Sequence, residues 1–257
     1  MPIRPSTTIL AATLVLVVPT ALSVGDVKLM TLGPGDATAF RDAFSANPST
    51  SGLWTVHRAT PDAANEASWD ANAGTLYLTR ATHSRAAAIF AQYSLRALKW
   101  EAEFDYRVGG GTGADGFIFL FYKDRAPYAS SPPEAGRAMG FSTLASPAVG
   151  GYGIEFDSYY DTDSNVFDPQ TNHVALIEEA VQNHYAIAAS NVIEDNAWHH
   201  AKVAYDNADL KVWLDGSLVL TDTLRPARTT YDGIGFSAAT GADTNNHEID
   251  NFVLRVY

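Results

Sequence analysis

The chain has 257 residues, with 17 Lys and Arg against 29 Asp and Glu and a formal net charge of -12. That balance argues against nucleic acid and anionic membrane surfaces as partners, because phosphate binding needs clustered Lys and Arg. Cysteine is absent, so disulfides are excluded and the fold must be held by its own core, by metal, or by both.

In chain order, Met1 to about Gly25 reads as an export signal: Arg4 gives a basic start, Ile9 to Val18 an apolar run, and Ala21 and Ser23 small residues after it. The run is shorter than the roughly 20 apolar residues that span a bilayer, so no membrane insertion is expected once the signal is removed. Residues 26–257 show no Pro/Ser linker or composition break and are read as one domain. No Asn-x-Ser/Thr acceptor occurs, since Asn47 is followed by Pro48.

Residues 99–108, KWEAEFDYRV, alternate strictly. Trp100, Ala102, Phe104, Tyr106 and Val108 fall on one face and charged residues on the other, which predicts a half-buried strand. The glycine-rich GGGTGADG then leads into FIFLFY, residues 117–122, whose continuous apolar run predicts a central strand covered on both faces. The glycines are no phosphate loop, as neither Lys nor a helix follows. RAPYASSPPEAGRAM, residues 125–139, reads as a surface excursion between strands. In LKVWLDGSLVL, Asp215-Gly216 between alternating runs signals a hairpin, because both tolerate positive φ. GIGFSAAT and NFVLRVY supply late strands, and no segment shows capped helical spacing. Many short strands with Gly- and Pro-rich turns predict an all-β fold, an antiparallel β-sandwich. Trp198 and Trp213, in alternating strands, are expected in the core. His199 and His200 face opposite ways and are read as structural, and Glu248 and Asp250 as a solvated strand edge.

The chemistry is concentrated in YGIEFDSYYDTDSNVFDPQTNH, residues 152–173. Alternation puts Tyr152, Ile154 and Phe156 on one face and Glu155, Asp157 and Tyr159 on the other, so two carboxylates emerge side by side. Such like charges repel and raise one another's pKa unless a cation lies between them. Asp168 follows eleven residues after Asp157, and His173 opens the apolar run VALI, from which a returning strand would bring it beside Glu155. Oxygen ligands from Asp157, Asp161, Asp168 and a backbone carbonyl suit Ca²⁺, while Glu155, Asp157, Asp168 and His173 suit a transition ion such as Mn²⁺. A solvated acidic loop is the plain alternative. An EF-hand reading of the DTDSN segment fails, with Val166 at the Gly position and Asn172 at the terminal Glu position.

Three segments in order, GADGFIFLF at 113–121, GIEFDSYYD…FDPQTNH, and IGFSAATGADTNNHEIDNFVL at 234–254, resemble the L-type (legume-lectin-like) carbohydrate-binding family. The resemblance implies a concanavalin A-like jelly roll, a secreted protein that binds glycans without catalysis, and Ca²⁺ with a second, transition-ion site. It implies Asp115 as acceptor of sugar hydroxyls, with a cis peptide between Ala114 and Asp115. Glu155, Asp157, Asp168 and His173 look like the transition-ion ligands, and Asp157, Asp168, the Tyr159 carbonyl and Asp161 like the Ca²⁺ set. A backbone N–H of Gly150 or Gly151 would donate to the sugar, the Tyr159 ring would stack on it, and Gly241, Ala242 and Asp243 would form a variable wall. Where the family usually has an Asn that binds Ca²⁺ and donates to sugar, this chain has Asp161, which accepts but cannot donate when ionised; Asn165 lies in the longer loop that follows. Homo-oligomers of this fold pair edge strands or flat sheets, and the sequence marks neither.

Two other classes compete. Sandwich-fold glycoside hydrolases use carboxylates from one strand in a Glu-x-Asp-x-(x)-Glu pattern, and EFDSYYD lacks the last Glu. Laminin-G-type adhesion modules resemble WHHAKVAYDNADLKVWLDG but not the ADG loop with the acidic strand.

Overall fold

The structure, a computed structural model, describes residues 38–124, 132–142, 150–162, 168–169, 172–227 and 229–257. The expected export segment and Asn165 lie outside them. One sheet orders its strands as β13 (Ser217–Thr223), β12 (Asp209–Leu214), β11 (His199–Asp206), β6 (Lys99–Gly109), β15 (Asn246–Val256), β4 (Thr75–Thr79) and β3 (Glu66–Asp70). The strand β1 (Thr38–Asp42) also pairs with β15. The facing sheet runs β10 (Ala180–Ala189), β9 (His173–Glu178), β8 (Gly150–Asp157), β7 (Gly116–Asp124), β14 (Gly233–Ala239), β5 (Ala86–Ala91) and β2 (Trp54–Arg58). All these pairings are antiparallel. The sole α-helix among the described residues is one turn, Pro48–Ser51, capped by the Asn47 side chain.

The predicted alternation of residues 99–108 is realised: the even positions of β6 from Trp100 to Val108 are buried and the intervening ones are only partly so. Their rings interdigitate with those of the facing sheet. Phe104 meets Phe236 edge-on with centroids 5.0 Å apart, and Trp100 meets Phe121 at 5.2 Å. Such rings dominate the apolar area that drives the two sheets together. The hairpin also forms as expected, Asp215 and Gly216 both adopting positive φ between Leu214 and Ser217.

As its unbroken apolar run requires, β7 is buried on both faces. Phe117, Phe119 and Phe121 join the core between the sheets, while Ile118, Leu120 and Tyr122 form a second cluster on the outer face with Met139, Phe141 and Val181. The expected surface excursion is therefore corrected at its end: Ala138 and Met139 are buried, as is Phe141 just beyond it. Their apolar side chains close the sheet face onto which Ile118, Leu120 and Tyr122 of β7 project.

Trp213 is also not in the core. It shares its parity with Lys211 on the solvent face of β12, with Lys202 Nζ 5.5 Å from its ring, whereas Leu210, Val212 and Leu214 point inward. Trp198 is 41% exposed under the Arg107 guanidinium. Glu248 is no solvated edge, because β15 lies between β6 and β4. Its buried carboxylate receives Arg107 Nε at 2.9 Å and Nη2 at 2.7 Å. His199 and His200 point to opposite sides as expected, the first held between Asp195 and Asp215, the second on Asp105.

Candidate functional site

The site lies where β7 begins and β8 ends. The antiparallel register sets Gly116 opposite Asp157 and Asp157 opposite His173, so three strand termini bring Asp115, Asp157 and His173 together although they are far apart in sequence. Asp115 is fixed by its backbone: its N–H donates to the Ala239 carbonyl, and its carbonyl accepts from both the N–H and the hydroxyl of Ser158. The Ala114–Asp115 peptide is cis, as the resemblance implied. At Gly116 the chains approach so closely that a Cβ would sit 2.4 Å from the Phe156 carbonyl oxygen, which requires glycine there.

Glu155 and Asp157 emerge on the same face of β8, as alternation predicted. Both are buried, at 1% and 4% exposure. His173 Nε2 lies 3.7 Å from Glu155 Oε2. Asp157 Oδ1 accepts the Tyr159 N–H at 2.6 Å, and Asp168 Oδ2 accepts the Asp161 N–H at 3.0 Å, which folds the loop back over the strand end. One small cavity is lined by Asp115, Glu155, Asp157, Tyr159, Asp161 and Asp168. The predicted metal ligands other than His173 and the predicted sugar acceptor thus open onto a single space.

The electrostatics of that space are adverse to the bare acids. Burial, then the charges of Glu155 and Asp168, push the Asp157 carboxyl well above the usual carboxylate range. Burial raises Asp168 to about 6 against the Asp161 hydrogen bond, and burial with the charges of Asp161 and Asp243 raises Asp115 to about 7. Glu155 goes the other way: burial would raise it, but hydrogen bonds with His173 and His184 outweigh that and hold it low. Two buried oxygens, Asp115 Oδ2 and Asp168 Oδ1, have no hydrogen-bond partner among the described residues, which is costly for carboxylates. Oxygen donors in surplus of any protein donor are what a divalent cation requires, so the residues present fit one.

The proposed wall also comes together. A Cβ on Gly241 would lie 3.2 Å from Asp115 Oδ2, and the Gly241 N–H donates to the Asp243 carbonyl in a tight turn. Gly150 and Gly151 do not belong here. The register pairs Gly151 with Tyr122, six residues along β7 from Gly116, so both glycines lie at the opposite end of the strands. At the usual rise this is roughly 20 Å from Asp115, too far for one sugar to bridge. The backbone that does close this side is Gly136, whose Cα lies 3.5 Å from the same Gly241 Cβ position. Beside it Arg137 Nη1 stands 3.8 Å from Asp161 Oδ2. Sequence reading missed both because they sit in an irregular segment without strand period. His184 was missed as well: its Nε2 is 2.8 Å from Glu155 Oε2.

A β-sandwich whose acid-lined cavity joins a candidate metal cluster to an exposed loop wall has the architecture of an L-type lectin. A sequence model of the legume-like lectin family matches residues 54–256, and the chain belongs to that family. An alpha-methyl-mannoside-specific lectin of Arachis hypogaea is 26% identical over 190 residues, 67% of this chain and 65% of its own length. The chain therefore spans just under two thirds of that relative. Among solved structures, lectin II from Ulex europaeus has a TM-score of 0.69 at 15% identity, covering 86% of this chain and 99% of its own. The exoplasmic/lumenal domain of VIP36 in its Ca²⁺- and mannose-bound form has a TM-score of 0.59 at 19% identity, covering 79% and 82%. At these identities the two structures establish the fold alone.

Proposed function

We propose that the protein is an exported, Ca²⁺-dependent lectin that binds glycans at the Asp115 cavity without catalysis. One observation carries this reading: Asp115 Oδ2 and Asp168 Oδ1, both buried and without a hydrogen-bond partner among the described residues, belong to one cavity lined by the acid cluster, and the Gly241 turn packs against Asp115. Asp157, Asp168, Asp161 and the Tyr159 carbonyl would hold Ca²⁺. Glu155, Asp157, Asp168 and His173 would hold a transition ion. Bound cations supply the positive charge that keeps Asp157, Asp168 and Asp115 ionised near neutral pH.

A pyranose presents hydroxyls at its rim and C–H groups on its faces. Ionised Asp115 accepts from adjacent hydroxyls through the oxygen that no protein donor occupies. Asp161 cannot donate, but the Arg137 guanidinium beside it offers N–H groups at the same rim. The Tyr159 ring, 40% exposed, is available to stack on a sugar face. Gly241, Ala242 and Asp243 bound the opening with small and polar groups, which favours a shallow site that reads terminal sugars. The relatives' association with mannose makes mannosides the first ligands to try.

The test is a glycan array and titration calorimetry with the metal-stripped protein, with and without Ca²⁺, on the parent and Asp115→Asn. Ca²⁺-dependent binding lost in Asp115→Asn, with the glycan recovered intact, is the expected result. Binding indifferent to Ca²⁺ and to Asp115 would overturn the reading, and release of reducing ends would favour a sandwich-fold hydrolase.

A further inference from the structure

His184 lies on β10, an edge strand, and a break in its pairing aims it at the acid cluster. Ala186 pairs with Leu176, whereas His184 pairs with Ile177, so His184 and Tyr185 together oppose one residue of β9. Had the Ala186 register continued, Tyr185 would face Ile177 and His184 would face Glu178, on the other side of the sheet. The extra residue is a β-bulge, a device that re-aims a side chain. It turns His184 to the face shared by Ile177, Ala175 and Glu155, where its side chain is 6% exposed and Nε2 reaches Glu155 Oε2 at 2.8 Å. His173 approaches the same oxygen at 3.7 Å. The ligand atoms of Glu155, His173 and His184 lie within 4.8 Å of one another, as do those of Asp157, Asp168 and His173. His173 links the two groups.

Two imidazoles and three carboxylates are a donor set unlike the oxygen-rich one that suits Ca²⁺ or Mn²⁺. Imidazole nitrogen favours later first-row ions, and affinity for such a site rises from Mn²⁺ toward Ni²⁺ and Cu²⁺, with Zn²⁺ also well above Mn²⁺. We propose that His184 is a direct ligand of the transition-ion site, making it a two-histidine centre selective for Zn²⁺ over Mn²⁺ beside an oxygen-ligated Ca²⁺. The inference rests on the metal reading of the acid cluster given above. A residue placed for outer contact alone would only orient Glu155, and that role predicts one imidazole on the metal.

The experiment uses the full chain, stripped of metal and then given saturating Ca²⁺. Zn²⁺ and Mn²⁺ are titrated by calorimetry into the parent and into His184→Gln, which keeps an amide donor for Glu155. X-ray absorption of the Zn²⁺-loaded proteins counts imidazole ligands. Two imidazoles in the parent and one in His184→Gln are expected. Zn²⁺ affinity should fall by more than the roughly 10–100-fold that loss of an outer contact costs, while Mn²⁺ affinity falls much less, so that the Zn²⁺/Mn²⁺ ratio collapses. A single imidazole in the parent, or an equal loss for both ions, overturns the proposal; the parent spectrum decides even if the variant fails to fold. Neither readout involves sugar. Failure of Ca²⁺-dependent glycan binding with the two-imidazole spectrum intact would sink the lectin reading alone, and absence of all metal uptake would sink both.

Discussion

In the presence of chelator, Asp115→Asn should stabilise the protein above pH 7 and leave its stability unchanged near pH 4. Burial, reinforced by Asp161 and Asp243, pushes the Asp115 carboxyl from 3.8 up to about 7. Below pH 4 the folded and unfolded chains both hold this proton, and the group costs nothing. Between pH 4 and 7 the unfolded chain has released it while the folded chain has not, so stability falls by about 1.4 kcal/mol per pH unit. Above pH 7 the whole penalty is present, about 4 kcal/mol for a shift of about three units. Asparagine keeps the shape and cannot ionise. Urea unfolding followed by tryptophan fluorescence at pH 4, 5.5 and 8 should show a gap between the two proteins that opens with pH toward that magnitude. Saturating Ca²⁺ should narrow it, because a nearby cation favours the ionised form. Parallel pH profiles for parent and variant in chelator would refute the reasoning.

Two predictions concern the fold around the site. His247 is fully buried with Nδ1 2.7 Å from Thr79 Oγ1, and burial pushes its pKa from 6.5 down to about 3. The unfolded chain takes up a proton near pH 6.5 that the folded chain refuses, so its contribution is present above pH 6.5 and is lost at about 1.4 kcal/mol per unit as pH falls toward 3. His247→Asn should flatten the acid limb of the stability profile, and an unaltered slope between pH 6 and 4 would count against it. Arg107→Ala should cost about 3–5 kcal/mol by denaturant unfolding, since it leaves the buried Glu248 carboxylate without its two-pronged partner. Adding Glu248→Gln should recover much of that loss, and strict additivity of the two changes would show that the pair is not the cause.

Much of the fold was legible because strand chemistry repeats with a local period. The alternation in residues 99–108 and the solid apolar run of 117–122 specify one wet face and none, and β6 and β7 follow them. The same parity put Glu155 and Asp157 on one side. Trp213 was expected in the core because its strand alternates, but it shares the parity of Lys211, and that parity puts it on the solvent face. Glu248 was misread for a different reason, since nothing in a strand's own sequence says whether it will be an edge or an interior strand.

What the sequence determined by itself is therefore local: the faces of each strand, the Asp215-Gly216 turn, the acidic stretch, and the spaced motifs that mark the lectin family. The tertiary structure decided the partners. Register across β7 and β8 carried Gly151 to the far end from Asp115. Packing on the outer sheet face drew Met139 inward and with it the neighbouring Arg137 to the cavity. One extra residue in β10 turned His184 toward Glu155. The physical reason is that side-chain direction along a strand has a fixed period of two, whereas which residues face each other across strands depends on pairings between distant segments, and a shift of a single residue reverses the face of everything beyond it.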